Sequence, residues 1–306
     1  METYTYIELL KELESLLEKF GSLMGAHPHS RIQFYKNVLN EMISKVANES
    51  LAHDSSKILR QNFIKIISDV FDLKESFGVM TKFPASASKY GDIFTGSNFL
   101  ADEVAKNSLA RNKVFELKVI NLLLKCGLRI CPGSGLEDGY LLYNDFPIFI
   151  ESKRITGNQC QIGKRHKEAK KQLDERFKNN GLNIESLGII SIDLTKLVWD
   201  TSRFINGTPI QTLGFINEKI FEMCTKNPDI KHQNAHIGTI IFASAVSLYN
   251  DRFCYVTSVQ LHGNSNSTYL NICESIGEII SRFVYKTYVC DQQKTDNKCI
   301  TLSGKI

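Results

Sequence analysis

The chain has 306 residues, 42% of them hydrophobic and 23% charged, an ordinary globular balance with material for one large domain or two small ones. A net charge of only +4 excludes a globally basic coat for nucleic acid, so any affinity for a polyanion has to be local. No apolar run reaches bilayer length, no basic-then-apolar leader opens the chain, and four of the eight cysteines sit in apolar runs (Cys126, Cys224, Cys254, Cys273); a soluble, cytoplasmic protein with reduced core thiols and no membrane association is expected.

Apolar periodicity predicts three amphipathic helices over 5–24, 30–48 and 56–78. Leu9, Leu10, Leu13, Leu16, Leu17 and Phe20 form the stripe of the first, while Ser30 and Asp54-Ser55-Ser56 offer N-caps for the others. Their polar faces carry mixed charge. Residues 1–80 therefore read as a helical region for recognition, homodimerisation, docking of a partner protein, or plain support of a catalytic domain. Residues 81–106 break the periodicity with Pro84, two glycines and three serines and read as a linker or long loop, placed where it could cover a site formed by the next elements.

A helix is predicted over 110–127, with Val114, Leu117, Ile120 and Leu124 as its stripe and Gly127 as its C-cap. Glu116 lies at the flank of that stripe. Two short strands come next, joined at Asn144-Asp145, and the second ends Pro147-Ile-Phe-Ile-Glu151-Ser152-Lys153. Strand alternation puts Phe149, Glu151 and Lys153 on one face and Ile148, Ile150 and Ser152 on the other. A hairpin brings Asp138 to the same sheet end, roughly across from Lys153. The stretch 164–178 is a strongly basic helix, with Lys164, Arg165, Lys167 and Lys171 as a positive wall for a bound polyanion. Further on, 187–194, 237–246 and 253–261 read as strands and 211–225 and 269–288 as helices, with Asp193 capping the turn before Thr195. The alternation predicts an α/β fold, a mixed sheet flanked by helices.

Two carboxylates beside an ammonium suit a hard divalent cation and an activated water, and so phosphodiester hydrolysis. Taken alone, Glu-x-Lys equally suits a solvated surface pair; the acidic helix before it and the basic helix after it tip the reading towards a site.

The order of a helix with Glu116, a strand preceded by Asp138, a strand ending Ile150-Glu151-Ser152-Lys153, and a helix with Ala169-Lys-Lys-Gln172-Leu173 resembles the PD-(D/E)xK nuclease superfamily over residues 107–262. The resemblance implies a restriction-endonuclease-like domain (107–306) in which Asp138 and Glu151 ligate Mg2+ or Mn2+ and Lys153 orients the attacking water. It also implies that Glu116 supports the metal and that Gln172 contacts the scissile phosphate. Glu137 stands where the family pattern has Pro, so either Glu137 or Asp138 can be the ligand. Lys153 between two carboxylates stays protonated, which favours orientation and charge stabilisation over proton abstraction. The implied activity is a metal-dependent DNA endonuclease of a restriction or antiviral-defence type, with RNA open as substrate. The alternative is a nuclease-like nucleic-acid-binding or partner-activated subunit of a larger complex.

Overall fold

The computed structural model describes residues 3–24, 30–47, 54–84, 89–91, 93, 109–133, 138–144, 146–157, 159, 161–179, 187–200, 203–227, 237–250, 252–263 and 269–287. Helix α1 (Tyr6–Met24) opens on a capping box: Glu8 N donates to Thr5 Oγ1 at 3.3 Å and Thr5 N donates to the Glu8 carboxylate at 2.7 Å. It buries Leu9, Leu13 and Leu16 against α2 (Ser30–Ala47) and α3 (Asp54–Lys82). The third helix outlasts its expected end because Val79 and Met80 continue the buried stripe. The cap side chains expected at Ser30 and Asp54–Ser56 lie outside the described set. The three helices share one hydrophobic core with α4 (Leu109–Lys125) and the sheet. Helix α4 stops as expected at Gly127, whose φ of 82° suits glycine; Leu128 N reaches back to Leu123 O at 3.0 Å and Gly127 N to Leu124 O at 2.9 Å, a Schellman closure.

The sheet takes the order β1-β8-β7-β5-β4-β3-β2. Strands β2 (Arg129–Pro132), β3 (Gly139–Tyr143) and β4 (Phe146–Arg154) form an antiparallel meander. Strand β5 (Leu187–Asp193) runs parallel to β4 and to β7 (Gly238–Tyr249), which turns back into β8 (Arg252–Gly263). The two-residue strand β1 (Thr3–Tyr4) closes along β8, and β6 (Ile205–Asn206) pairs with β7 beyond the reach of β5. Every residue of β5 is buried, as a central parallel strand covered on both faces requires. Helix α5 (Gln161–Asn179) crosses from β4 to β5, the short α6 (Thr195–Val198) follows β5, α7 (Pro209–Lys226) precedes β7, and α8 (Leu270–Tyr285) packs on β8. This is the mixed sheet flanked by helices that the sequence predicts.

Strand alternation separates two covered faces. On one, Phe115 of α4 meets Phe242 with ring centroids 5.3 Å apart, and Lys118 Nζ reaches Ser244 Oγ at 2.7 Å. On the other, Phe177 of α5 meets Phe149 at 5.7 Å and His166 Nε2 lies 3.0 Å from Thr239 Oγ1. Glu151, Ile190 and Thr239 sit side by side in the register and belong to the α5 face; Arg154, Asp193 and Phe242 belong to the α4 face. Among the described residues no helix is long and apolar enough to cross a membrane, and Cys126, Cys131, Cys224, Cys254 and Cys273 are free thiols.

Candidate functional site

The β3–β4 hairpin sets the geometry. Tyr143 pairs with Phe146, leaving Asn144-Asp145 as the connection, with Asn144 in the left-handed region at φ 49°. Gly139 consequently faces Ile150. Asp138 comes next to Glu151, not across from Lys153 as the sequence suggested, because the turn centres between residues 144 and 145 and shifts the pairing by two. Its Oδ2 accepts a hydrogen bond from Ser152 N at 2.6 Å. Ile148 and Ile150 are buried and hold the strand end in place.

Glu151 is 2% exposed and is held between two cations. Lys153, two residues along the same strand face, pairs with Oε1, and the Arg176 guanidinium lies 2.6 Å from Oε2. Glu116 approaches from α4, with Lys89 Nζ 3.9 Å from its Oε2. The Lys89 ammonium also lies 5.4 Å from the centre of the Tyr90 ring, and Tyr90 and Ile93 are fully buried. The described part of the expected 81–106 loop therefore borders the carboxylates; 85–88, 92 and 94–106 lie outside the described residues, as does Glu137.

Burial pushes the Glu116 carboxyl up to about 8, the nearby charges of Asp138 and Glu151 add to the rise, and Lys89 and Lys153 oppose it. Asp138 is raised to about 6, again by burial first and the Glu151 charge second, against the Ser152 N–H, Lys153 and Arg176. The Tyr90 phenol is raised by burial and by the charges of Glu116 and Asp138, so it keeps its proton. Crowded carboxyls in a dry place, with their pKa values driven towards neutrality, characterise sites that bind cations or move protons.

The remaining expected residues divide. Lys164, Lys167 and Lys171 are exposed on the side of α5 opposite its buried stripe of Ile162, His166, Ala169, Leu173 and Arg176. Arg165 is half-buried and tied to Glu168 at 2.8 Å. Gln172 is exposed. Arg176, one turn beyond Gln172, is the α5 side chain that meets Glu151. A signal for it exists in the sequence: Arg176 continues the 3–4 spacing of the buried stripe, where a guanidinium needs a buried acid.

Among the described residues no three His, Cys, Asp or Glu side chains form a ready-made metal cage. Magnesium asks for less, one or two carboxylates completed by water and substrate. The donor set fits that demand: hard oxygens from Asp138, Glu151 and Glu116, with Glu116 Oε2 buried and without a hydrogen-bond partner among the described residues. Glu151 could contribute only with Lys153 or Arg176 drawn back. The chain matches no known family model, and neither the curated proteins nor the solved structures include one similar to it.

Proposed function

We propose that the protein is a metal-dependent nuclease with a restriction-endonuclease-like core, a DNA endonuclease of a restriction or defence type acting in the cytoplasm. The observation that carries the reading is the meeting of Asp138, Glu151 and Lys153 at one end of the β3–β4 hairpin, with Glu116 beside them. The chain order α4-β2-β3-β4-α5-β5, with the two helices on opposite faces of the sheet, supports the same reading.

Asp138, Glu151 and Glu116 would hold Mg2+ or Mn2+. When bound, the ion lowers the pKa of a ligated water and offsets charge growing on the phosphate. The chain's own groups supply the rest. Lys153, paired with Glu151, is placed to orient a water and to face negative charge. Arg176 offers a guanidinium from the opposite side of the same carboxylate, suited to a phosphate oxygen. The hydrogen bond from Ser152 N fixes the Asp138 carboxylate. The exposed lysines of α5 would meet the polyanion away from the reacting phosphate.

The test is cleavage of a plasmid and a matched RNA with Mg2+ or Mn2+ by wild type, Glu151→Ala and Lys153→Ala. Metal-dependent cutting reduced by about 100-fold or more in both variants is expected, since removal of one charge-stabilising group costs that much. Cutting that survives Glu151→Ala removes the basis of the proposal. The double grip of Lys153 and Arg176 on Glu151 favours one second reading, a partner-activated or nucleic-acid-binding subunit whose resting state keeps this carboxylate occupied. Cleavage appearing only after a partner is added would select it.

A further inference from the structure

A second concentration of charge lies on the α4 face of the sheet, apart from the candidate nuclease site. It surrounds a cavity of about 10 Å³, room for one water-sized body. Three oppositely charged pairs line it. Arg111 Nε meets the Asp69 carboxylate at 3.1 and 3.2 Å, Lys118 meets Asp72 at 2.9 Å, and Arg154 meets Asp193 at 2.9 Å. Each pair is completed locally. Tyr35 donates to Asp69, Tyr255 donates to Asp72 at 2.7 Å, and Thr195 N donates to Asp193 at 2.9 Å.

The fourth cation on the wall is Arg31, in the first turn of α2 and 1% exposed. Its Nη2 donates to Ile93 O, whereas Nε and Nη1 are buried without a hydrogen-bond partner among the described residues. The wall thus holds four cationic groups and three carboxylates, and the guanidinium in excess is the one with unused donors. A buried charge without compensation is strongly destabilising. A water in the cavity would satisfy a donor but leave that charge standing. A single negative charge of water-like size would answer both needs.

We propose that the cavity is a binding site for a monovalent, monoatomic anion of chloride size, held by Arg31 Nε and Nη1 inside the ring of three ion pairs. A polyatomic anion does not suit the volume, and a divalent anion would reverse the excess it has to cancel.

The experiment is thermal denaturation of the full chain at constant ionic strength, with sodium chloride exchanged for sodium isethionate, an anion too large to enter. The expected result is a saturable rise in Tm with chloride, reproduced by bromide and lost in Arg31→Gln. Crystals grown in bromide should show an anomalous peak within contact of the Arg31 guanidinium, a readout on the wild type that holds even if the variant does not fold. Equal Tm in both salts, or a water at Arg31 in the bromide crystal, overturns the proposal. No arm of the test measures cleavage, so its outcome is independent of the nuclease reading.

Discussion

Strand β4 carries charged clusters on both of its faces, and they follow opposite rules. On the α4 face each carboxylate has its own cation and a further donor. The Arg111 and Arg31 charges hold Asp69 below its ordinary pKa in spite of complete burial, and Arg154 does the same for Asp193. Asp72 is the partial exception, since its burial outweighs Lys118 and leaves it raised. At the site end of β4 two cations are spent on Glu151 and Lys89 stands 3.9 Å from Glu116, yet burial and mutual repulsion still raise Glu116 and Asp138. Acid and base content therefore does not by itself decide what a cluster is for. Pairing does: carboxylates that each have their own cation and a further donor serve the fold, whereas carboxyls driven towards neutrality are suited to receive a cation or a proton.

The contrast is tested most severely at Asp69. Asp69→Asn keeps the shape but leaves Arg111 buried beside an uncharged amide, with Arg31 close by. A loss of about 3–5 kcal/mol in denaturant unfolding is expected. A loss below about 1 kcal/mol would show that this network is not what stabilises the α3–α4 contact.

Glu116 should answer with the opposite sign. Its folded pKa, about 8, lies above the ordinary 4.5, so the folded protein binds the extra proton between those values. Stability from this group then falls as the pH rises from 4.5 to 8. Glu116→Gln should remove that slope, matching wild type near pH 4 and exceeding it above about pH 8 by an amount on the order of a few kcal/mol. Denaturant unfolding in EDTA at both pH values checks it. Added Mg2+ should favour ionised carboxyls, so the Tm rise it causes in the wild type should be larger at about pH 8 than at about pH 6. A rise independent of pH would separate Glu116 from the cation.

The smallest effect is expected on the outer face of α5. Lys171 is 79% exposed and pairs with Glu175 at 3.6 Å. Lys171→Ala should change stability by about 0.5 kcal/mol or less, while weakening any polyanion binding and reducing its salt dependence by about one phosphate contact. Unchanged binding with unchanged salt slope would remove this lysine from the interface.

Much of this architecture is legible in local pattern. Glycine at 127 ends α4 because the backbone there needs a positive φ, and the apolar run 187–194 reads as a strand covered on both sides. Asp193 capping Thr195 comes from the same local logic. The Asp138 register is harder to read, because a hairpin's pairing depends on which two residues form the turn, and Asn144-Asp145-Phe146 admits two centres one position apart. The motif points to Gln172 and the structure to Arg176, because a motif does not tell which turn of α5 lies over Glu151.

Sequence alone was enough to assign side chains to faces, since the two-residue period of a strand and the 3.6-residue period of a helix are properties of the local backbone. That aligns Glu151 with Lys153 and turns the α5 lysines outward. The joining of distant segments needed the tertiary structure: Arg176 on Glu151, Lys89 beside Glu116, Asp69 with Arg111, and Arg31 on the cavity wall with its guanidinium on Ile93. Those partners are chosen by how the helices dock on the two faces of the sheet, where a buried charge is driven towards an opposite charge or a polar group whatever the separation along the chain.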